Sequence, residues 1–157
     1  MKLNIGVVGA GSLGTAISQT LSQNSNKVIL FARKQEICDD INKNNFNSQY
    51  YSNQKLMDNI KSTTILDDLT VCKIIFLTIP SSAFRDSLSS LNVINDDTIL
   101  VTTAKGIEYP SLKTMGDLIN EYYGENYVVM SGPNFASEIM LNQPTITNIS
   151  SRCEKNS

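Results

Sequence analysis

Gly9-Ala10-Gly11-Ser12-Leu13-Gly14 carries the pattern G-x-G-x-x-G, directly after the apolar run Asn4-Ile5-Gly6-Val7-Val8 and directly before a stretch with helical spacing. A strand that passes through such a turn into a helix can cradle a diphosphate. Gly9 would allow the tight turn, Gly11 the close approach of phosphate oxygens, and Gly14 the packing of helix on strand. The free N–H groups and positive dipole end of the helix then face the anion. The second strand ends about 20 positions on, where an Asp or Glu usually binds a ribose 2′-hydroxyl. Here it reads Leu30-Phe31-Ala32-Arg33-Lys34. Two cations suit a 2′-phosphate, which favours NADP, or use of both NADP and NAD.

Two later segments carry polar chemistry beyond apolar runs. Thr102-Thr103-Ala104-Lys105-Gly106-Ile107-Glu108 offers a lysine, a point charge able to meet a substrate phosphate or a developing alkoxide. Met130-Ser131-Gly132-Pro133-Asn134-Phe135-Ala136 offers a stiff turn with accessible backbone. Histidine is absent, so Ser-His-Asp and Cys-His catalysis and His-ligated metals are excluded, and no metal site is expected.

These residues need a scaffold that brings strand ends together. Ile5 to Val8, Val28 to Phe31, Ile74 to Ile79, Thr98 to Thr102 and Tyr127 to Met130 are continuous apolar runs, as in parallel strands covered on both faces. A shorter strand is expected over Thr63 to Leu66. Between them, Leu13 to Gln23, Gln35 to Asn44, Ser82 to Leu91 and Leu112 to Tyr123 have helical spacing, with Leu13, Ile17 and Leu21 on one face. The alternation predicts an α/β fold, a doubly wound and mostly parallel sheet. Ligands of such sheets bind outside the carboxyl ends of the strands. The polar segment Asn42 to Gln54 reads as a loop that is functional or mobile. The expected domain covers residues 1–149, followed by a short frayed tail over 150–157.

The 157 residues suit one domain, and 41% hydrophobic with 18% charged residues is an ordinary globular balance. A net charge of −2 leaves no basic surplus for nucleic acid. Cys38, Cys72 and Cys153 form no C-x-x-C pair and read as free cytosolic thiols. No run approaches the ~18 to 20 apolar residues of a membrane span, and the amino terminus lacks a secretory pattern. A cytoplasmic protein is expected.

Taken together, VGAGSLGTA at the start, Ile79-Pro80-Ser81 through Phe84-Arg85, Ala104-Lys105-Gly106-Ile107-Glu108 and Ser131-Gly132-Pro133-Asn134-Phe135-Ala136-Ser137-Glu138 resemble NAD(P)-dependent sn-glycerol-3-phosphate dehydrogenases of the bacterial type, in order and spacing over residues 4–149. The resemblance implies a Rossmann-like domain and interconversion of sn-glycerol 3-phosphate and dihydroxyacetone phosphate by hydride transfer, within glycerol phosphate metabolism and phospholipid biosynthesis. It implies cofactor contacts at Gly9, Gly11, Ser12, Leu13, Gly14, Arg33, Lys34, Lys105 and Ala136. Tyr50, in a segment similar to the family's Asn-x-x-Tyr-Leu loop, would border the adenosine half. Lys105, Gly132 and Asn134 would meet the substrate.

The sequence departs from the family at three points. Asn134 stands where the family has Ser or Thr, and Asn can still hydrogen-bond. Ala104 extends the lead-in to Lys105-Gly106. The family also has a helical second domain carrying the lysine proton acceptor and an Arg-Asn substrate pair, and nothing after Ile149 resembles its start. No catalytic residue is therefore assigned in these 157 residues, with Lys105 the fallback. A separate helical chain or a homodimer partner would complete the site. Two further readings stay open: a related dehydrogenase domain with another hydroxy or keto acid, and a non-catalytic dinucleotide-binding remnant.

Overall fold

The computed structural model describes residues 3–24, 27–91 and 94–152. Seven strands form one sheet, with the apolar β-branched runs at its centre and the more polar β3 and β7 at its edges: β1 (Asn4–Val8), β2 (Lys27–Phe31), β3 (Ile60–Thr63), β4 (Ile74–Leu77), β5 (Ile99–Thr102), β6 (Tyr127–Ser131) and β7 (Asn148–Ser151). Their order is β3-β2-β1-β4-β5-β6-β7. All neighbours pair in parallel except β6 and β7, which are antiparallel. From β1 the chain builds outward to β2 and β3, then returns to add β4, β5 and β6 on the other side. The reversal puts a topological switch point between β1 and β4, where such sheets open a crevice at their carboxyl edge.

The helices are α1 (Ser12–Gln23), α2 (Gln35–Asn44), α3 (Phe84–Ser90), α4 (Met115–Tyr123) and α5 (Ala136–Met140). On one face Ile17 of α1, Ile41 of α2 and Ile139 of α5 pack on Val7, Val28, Leu30 and Ile60. On the other, Phe84 and Leu88 of α3 and Leu118 and Ile119 of α4 pack on Val8, Ile75, Leu77 and Leu100. Both faces of the sheet are covered, as the unbroken apolar strands require. Among the described residues no helix is long and apolar enough to cross a membrane.

Several expected boundaries move. The strand expected over Thr63 to Leu66 is Ile60–Thr63, and Leu66–Val71 is a 3-10 turn. Ile60 and Ser62 are the buried positions of β3, and the Thr63 hydroxyl accepts the Ile65 N–H at 3.0 Å, which turns the chain out of the sheet. The fourth helix starts at Met115 rather than Leu112, because Leu112 has φ +58° and Thr114 caps the helix. Thr114 accepts the Asp117 N–H at 3.2 Å, and Asp117 accepts that of Thr114 at 3.1 Å. The tail expected to fray from residue 150 is also corrected at its start. Ser150 and Ser151 lie in β7, opposite Val129 and Val128, and the Ser151 hydroxyl donates to the Tyr127 carbonyl at 3.0 Å. Residues 153–157, with Cys153, lie outside the described residues.

Candidate functional site: the carboxyl edge of the sheet

The glycine turn joins β1 to α1 at the switch point. Gly9 has φ +111°, and an added Cβ there would lie 2.9 Å from the Thr78 carbonyl oxygen. Thr78 follows β4 and locks the turn across the crevice: its hydroxyl is 2.9 Å from both the Val8 and Gly9 carbonyl oxygens. At Gly14 an added Cβ would lie 1.9 Å from the Gly9 carbonyl oxygen and 2.5 Å from Thr78 Oγ1. Gly9 and Gly14 are therefore required by the chain's own packing.

Gly11 is different. Its backbone is ordinary, φ −78° and ψ −171°, and an added Cβ would meet nothing within 4 Å. The protein gives no internal reason for a glycine there. Beside that open space, α1 begins without a side-chain cap, and the N–H groups of Ser12, Leu13 and Gly14 have no acceptor among the described residues. A helix start that leaves donors exposed beside a cradle that a side chain would fill suits a diphosphate. The residues fit the group the sequence implied.

Arg33 and Lys34 follow β2, the strand beside β1, and both are exposed. Neither has an ion pair or side-chain hydrogen bond among the described residues, so both cations are available to an anion. Tyr50 is 44% exposed, whereas its neighbour Tyr51 packs against the core and donates its hydroxyl to the Ser12 carbonyl at 3.0 Å. Burial raises the Tyr51 phenol above its ordinary pKa, keeping it a donor. The loop after α2 thus reaches the glycine turn through Tyr51 and through buried Asn47, whose Nδ2 lies 3.0 Å from the Ala10 carbonyl oxygen.

Beyond the switch point, Lys105 follows β5 and donates from Nζ to the Gly132 carbonyl, beyond β6, at 2.5 Å. The loop that carries Lys105 is anchored from below. Arg85, at the start of α3, grips Glu108 through two bonds, Nε to Oε1 at 2.6 Å and Nη2 to Oε2 at 2.8 Å. The same guanidinium meets Glu121 at 3.0 Å and lies over the Tyr122 ring at 5.7 Å. The Arg85 bonds, then that of Ser111, hold the Glu108 carboxyl down at about 2. Two of the sequence motifs, one ending in Phe84-Arg85 and one in Ile107-Glu108, are thereby joined.

Gly132 is explained within the chain, since an added Cβ would lie 2.3 Å from the Ile146 carbonyl oxygen. Asn134 spends its amide donors inside the protein too, on Thr147 Oγ1 at 2.7 Å, the Ile146 carbonyl at 3.0 Å and Thr145 Oγ1 at 3.1 Å. Only its Oδ1 is left without a partner among the described residues. Ala136 opens α5, and like Leu13 it packs against the core cluster on that face of the sheet, where α5 and α1 are in contact.

The expected residues therefore lie in order along one edge: Arg33 and Lys34 at β2, Gly9 to Gly14 at β1, Lys105 at β5, and Gly132, Asn134 and Ala136 at β6. At about 4.8 Å per strand, β2 to β5 spans about 14 Å. Asn47, Tyr51 and Thr78 complete the turn's support but carry no motif of their own. Asn47 lies in the Asn-Ser-Gln-Tyr segment whose Tyr50 was singled out, and that was the one signal in the sequence.

Comparison with known proteins bears on the sequence and the fold. A glycerol-3-phosphate dehydrogenase (NAD(P)+) of Methanothermobacter thermautotrophicus is 43% identical over 137 residues, 85% of this chain and 42% of its own. One of Halothermothrix orenii is 36% identical over 154 residues, 97% of this chain and 45% of its own. The chain spans less than half the length of these curated relatives. The crystal structure of glycerol-3-phosphate dehydrogenase from Coxiella burnetii superposes with a TM-score of 0.90 at 26% identity, over 98% of this chain and 48% of that one. Residues 4–157 match the family model described as NAD-dependent glycerol-3-phosphate dehydrogenase N-terminus, and the chain belongs to that family.

Proposed function

We propose that this chain binds NADP or NAD along the carboxyl edge of its sheet, as part of an oxidoreductase that interconverts sn-glycerol 3-phosphate and dihydroxyacetone phosphate. The observation that carries the reading is the open space at Gly11 beside the unpaired N–H groups of α1. The family and the shared name of the relatives support the cofactor and the substrate class. Gly9 shapes the turn, Gly11, Ser12, Leu13 and Gly14 take the diphosphate, Arg33 and Lys34 the 2′-phosphate, and Tyr50 borders the adenosine. Lys105 and Ala136 flank the nicotinamide side.

A nicotinamide cofactor supplies the hydride acceptor or donor when bound. The chain's own residues bind, orient and neutralise. The Lys105 ammonium, held by one backbone carbonyl at an exposed position, can exchange that oxygen for a substrate phosphate oxygen. The Gly132 turn and Asn134 Oδ1 then border the polyol. Alcohol oxidation also needs a base for the hydroxyl proton. By the family resemblance that base belongs to the helical part of the longer chains, with Lys105 as the fallback here. The setting is cytoplasmic glycerol phosphate metabolism feeding phospholipid biosynthesis, and the partner is a helical domain or a second copy of the chain.

The test is a fusion of this chain to the helical part of a relative. Because β7 runs to Ser151, the junction must lie beyond that strand and not after Ile149. Oxidation of NADPH that depends on dihydroxyacetone phosphate is the expected result. A folded fusion that binds NADPH but reduces only other keto compounds would overturn the substrate assignment.

A further inference from the structure

The peptide between Ala10 and Gly11 precedes the first turn of α1, so no helix hydrogen bond fixes its carbonyl. That carbonyl accepts from Asn47 Nδ2 at 3.0 Å. The same nitrogen donates to Thr15 Oγ1 at 2.8 Å, and the Thr15 hydroxyl donates on to the Gly11 carbonyl at 2.8 Å. In a trans peptide the N–H points opposite to the C=O. With the Ala10 oxygen held against a buried side chain, the Gly11 N–H is turned away from it, and no described residue accepts from that N–H. Gly11 has no Cβ to resist rotation of this peptide, so something else must hold it.

Asn47 is 1% exposed, and its Oδ1 is buried with no partner among the described residues. Buried side-chain acceptors are nearly always matched, so the residue is not there for its own satisfaction. Its place is defined by what Nδ2 does. The loop is braced to keep it there: Asn45 closes α2 in the left-handed region, Asp40 accepts the Ser48 N–H at 2.8 Å, and Tyr51 holds the Ser12 carbonyl.

We propose that Asn47 is a positioning residue for cofactor binding: through Ala10 and Thr15 it fixes the Ala10–Gly11 peptide so that the Gly11 N–H is presented to the diphosphate. The inference rests on the dinucleotide reading above. It extends the site by a residue 37 positions away in sequence from the peptide it sets.

The experiment compares ligands with and without a diphosphate on the 157-residue chain. Titration of Asn47→Ala with NADPH and NADH should show both affinities reduced about tenfold, the loss of one hydrogen bond to a charged group. Binding of adenosine 2′-monophosphate, followed by NMR, should be unchanged, because that ligand meets Arg33 and Lys34 and has no diphosphate. Should Asn47→Ala fail to fold, Thr15→Val carries the same comparison, and Thr15→Ser, which keeps the hydroxyl, should bind like the unmodified protein. Equal weakening of all three ligands, or unchanged NADPH affinity in a folded variant, overturns the proposal. If the unmodified chain binds no NADPH, the dinucleotide reading falls, and this proposal with it.

Discussion

An added Cβ at Gly14 would lie 1.9 Å from the Gly9 carbonyl oxygen, a contact with backbone that cannot give way. Gly14→Ala should therefore cost about 2 kcal/mol or more in stability, read by urea denaturation. A shift of only a few tenths would show that the turn is not tightly packed. Arg33 makes the opposite case, an exposed side chain with no internal partner. Arg33→Ala should leave stability unchanged while weakening NADPH by about 10- to 100-fold, the range of a charge-assisted phosphate contact. NADH, lacking the 2′-phosphate, should lose far less, and titration with both cofactors reads the difference. The packing need at Gly14 and the free position of Arg33 were legible in the sequence because glycine spacing and the cations after β2 are local patterns. Asn47 and Thr78 were not legible. Their contacts with the turn cross 37 and 69 residues of sequence and exist only once β1, β4 and the loop after α2 are side by side.

The loop carrying Lys105 is held by the paired bonds between Arg85 and Glu108, which fix it to α3. The Glu108 carboxyl sits at about 2, below its ordinary 4.5, because the folded state favours its charged form. A depressed folded value means the contribution is complete above about 4.5 and is lost as pH falls through about 2. The thermal midpoint of Glu108→Gln should lie below that of the unmodified protein at neutral pH, and the gap should close as pH drops from 4.5 toward 2. A gap that stays constant over that window would mean the carboxylate charge is not what anchors the loop. At this scale the sequence was read best where helical spacing alone sets the limits: α2 matches its expected range, Gln35 to Asn44. It was read worst where tertiary pairing decides. β3 is set by Ile60 facing Val28 and Ser62 facing Leu30, and so begins three residues before the expected Thr63 to Leu66. The short edge strand β7, with Ile149 68% exposed, has too little apolar pattern to announce itself.

Across the whole molecule, one edge of one sheet gathers the expected site residues that follow β1, β2, β5 and β6, as the doubly wound topology requires once β1 and β4 become neighbours, while Tyr50 lies exposed in the loop after α2. That much followed from strand–helix alternation and four motifs. The captured amide of Asn134 and the filled space beside Gly132 did not, because both depend on the segment 145–147 folding back over the turn after β6. Assayed by itself, the 157-residue chain should bind cofactor but reduce dihydroxyacetone phosphate with a turnover at least ~10²-fold below ordinary enzyme rates, since its crevice offers Lys105 and no assigned base. Ordinary turnover by the chain alone would make Lys105 the base. Titration calorimetry with NADPH, run in parallel on the unmodified chain and on Gly11→Val, is the most direct test of the central claim. The space at Gly11 is open and its backbone suits any residue, so the variant should keep its fold and its thermal midpoint to within a few degrees. The account predicts binding of one NADPH per chain by the unmodified protein and none by Gly11→Val. An unmodified chain that ignores NADPH, or a folded Gly11→Val that still binds it, would contradict the account.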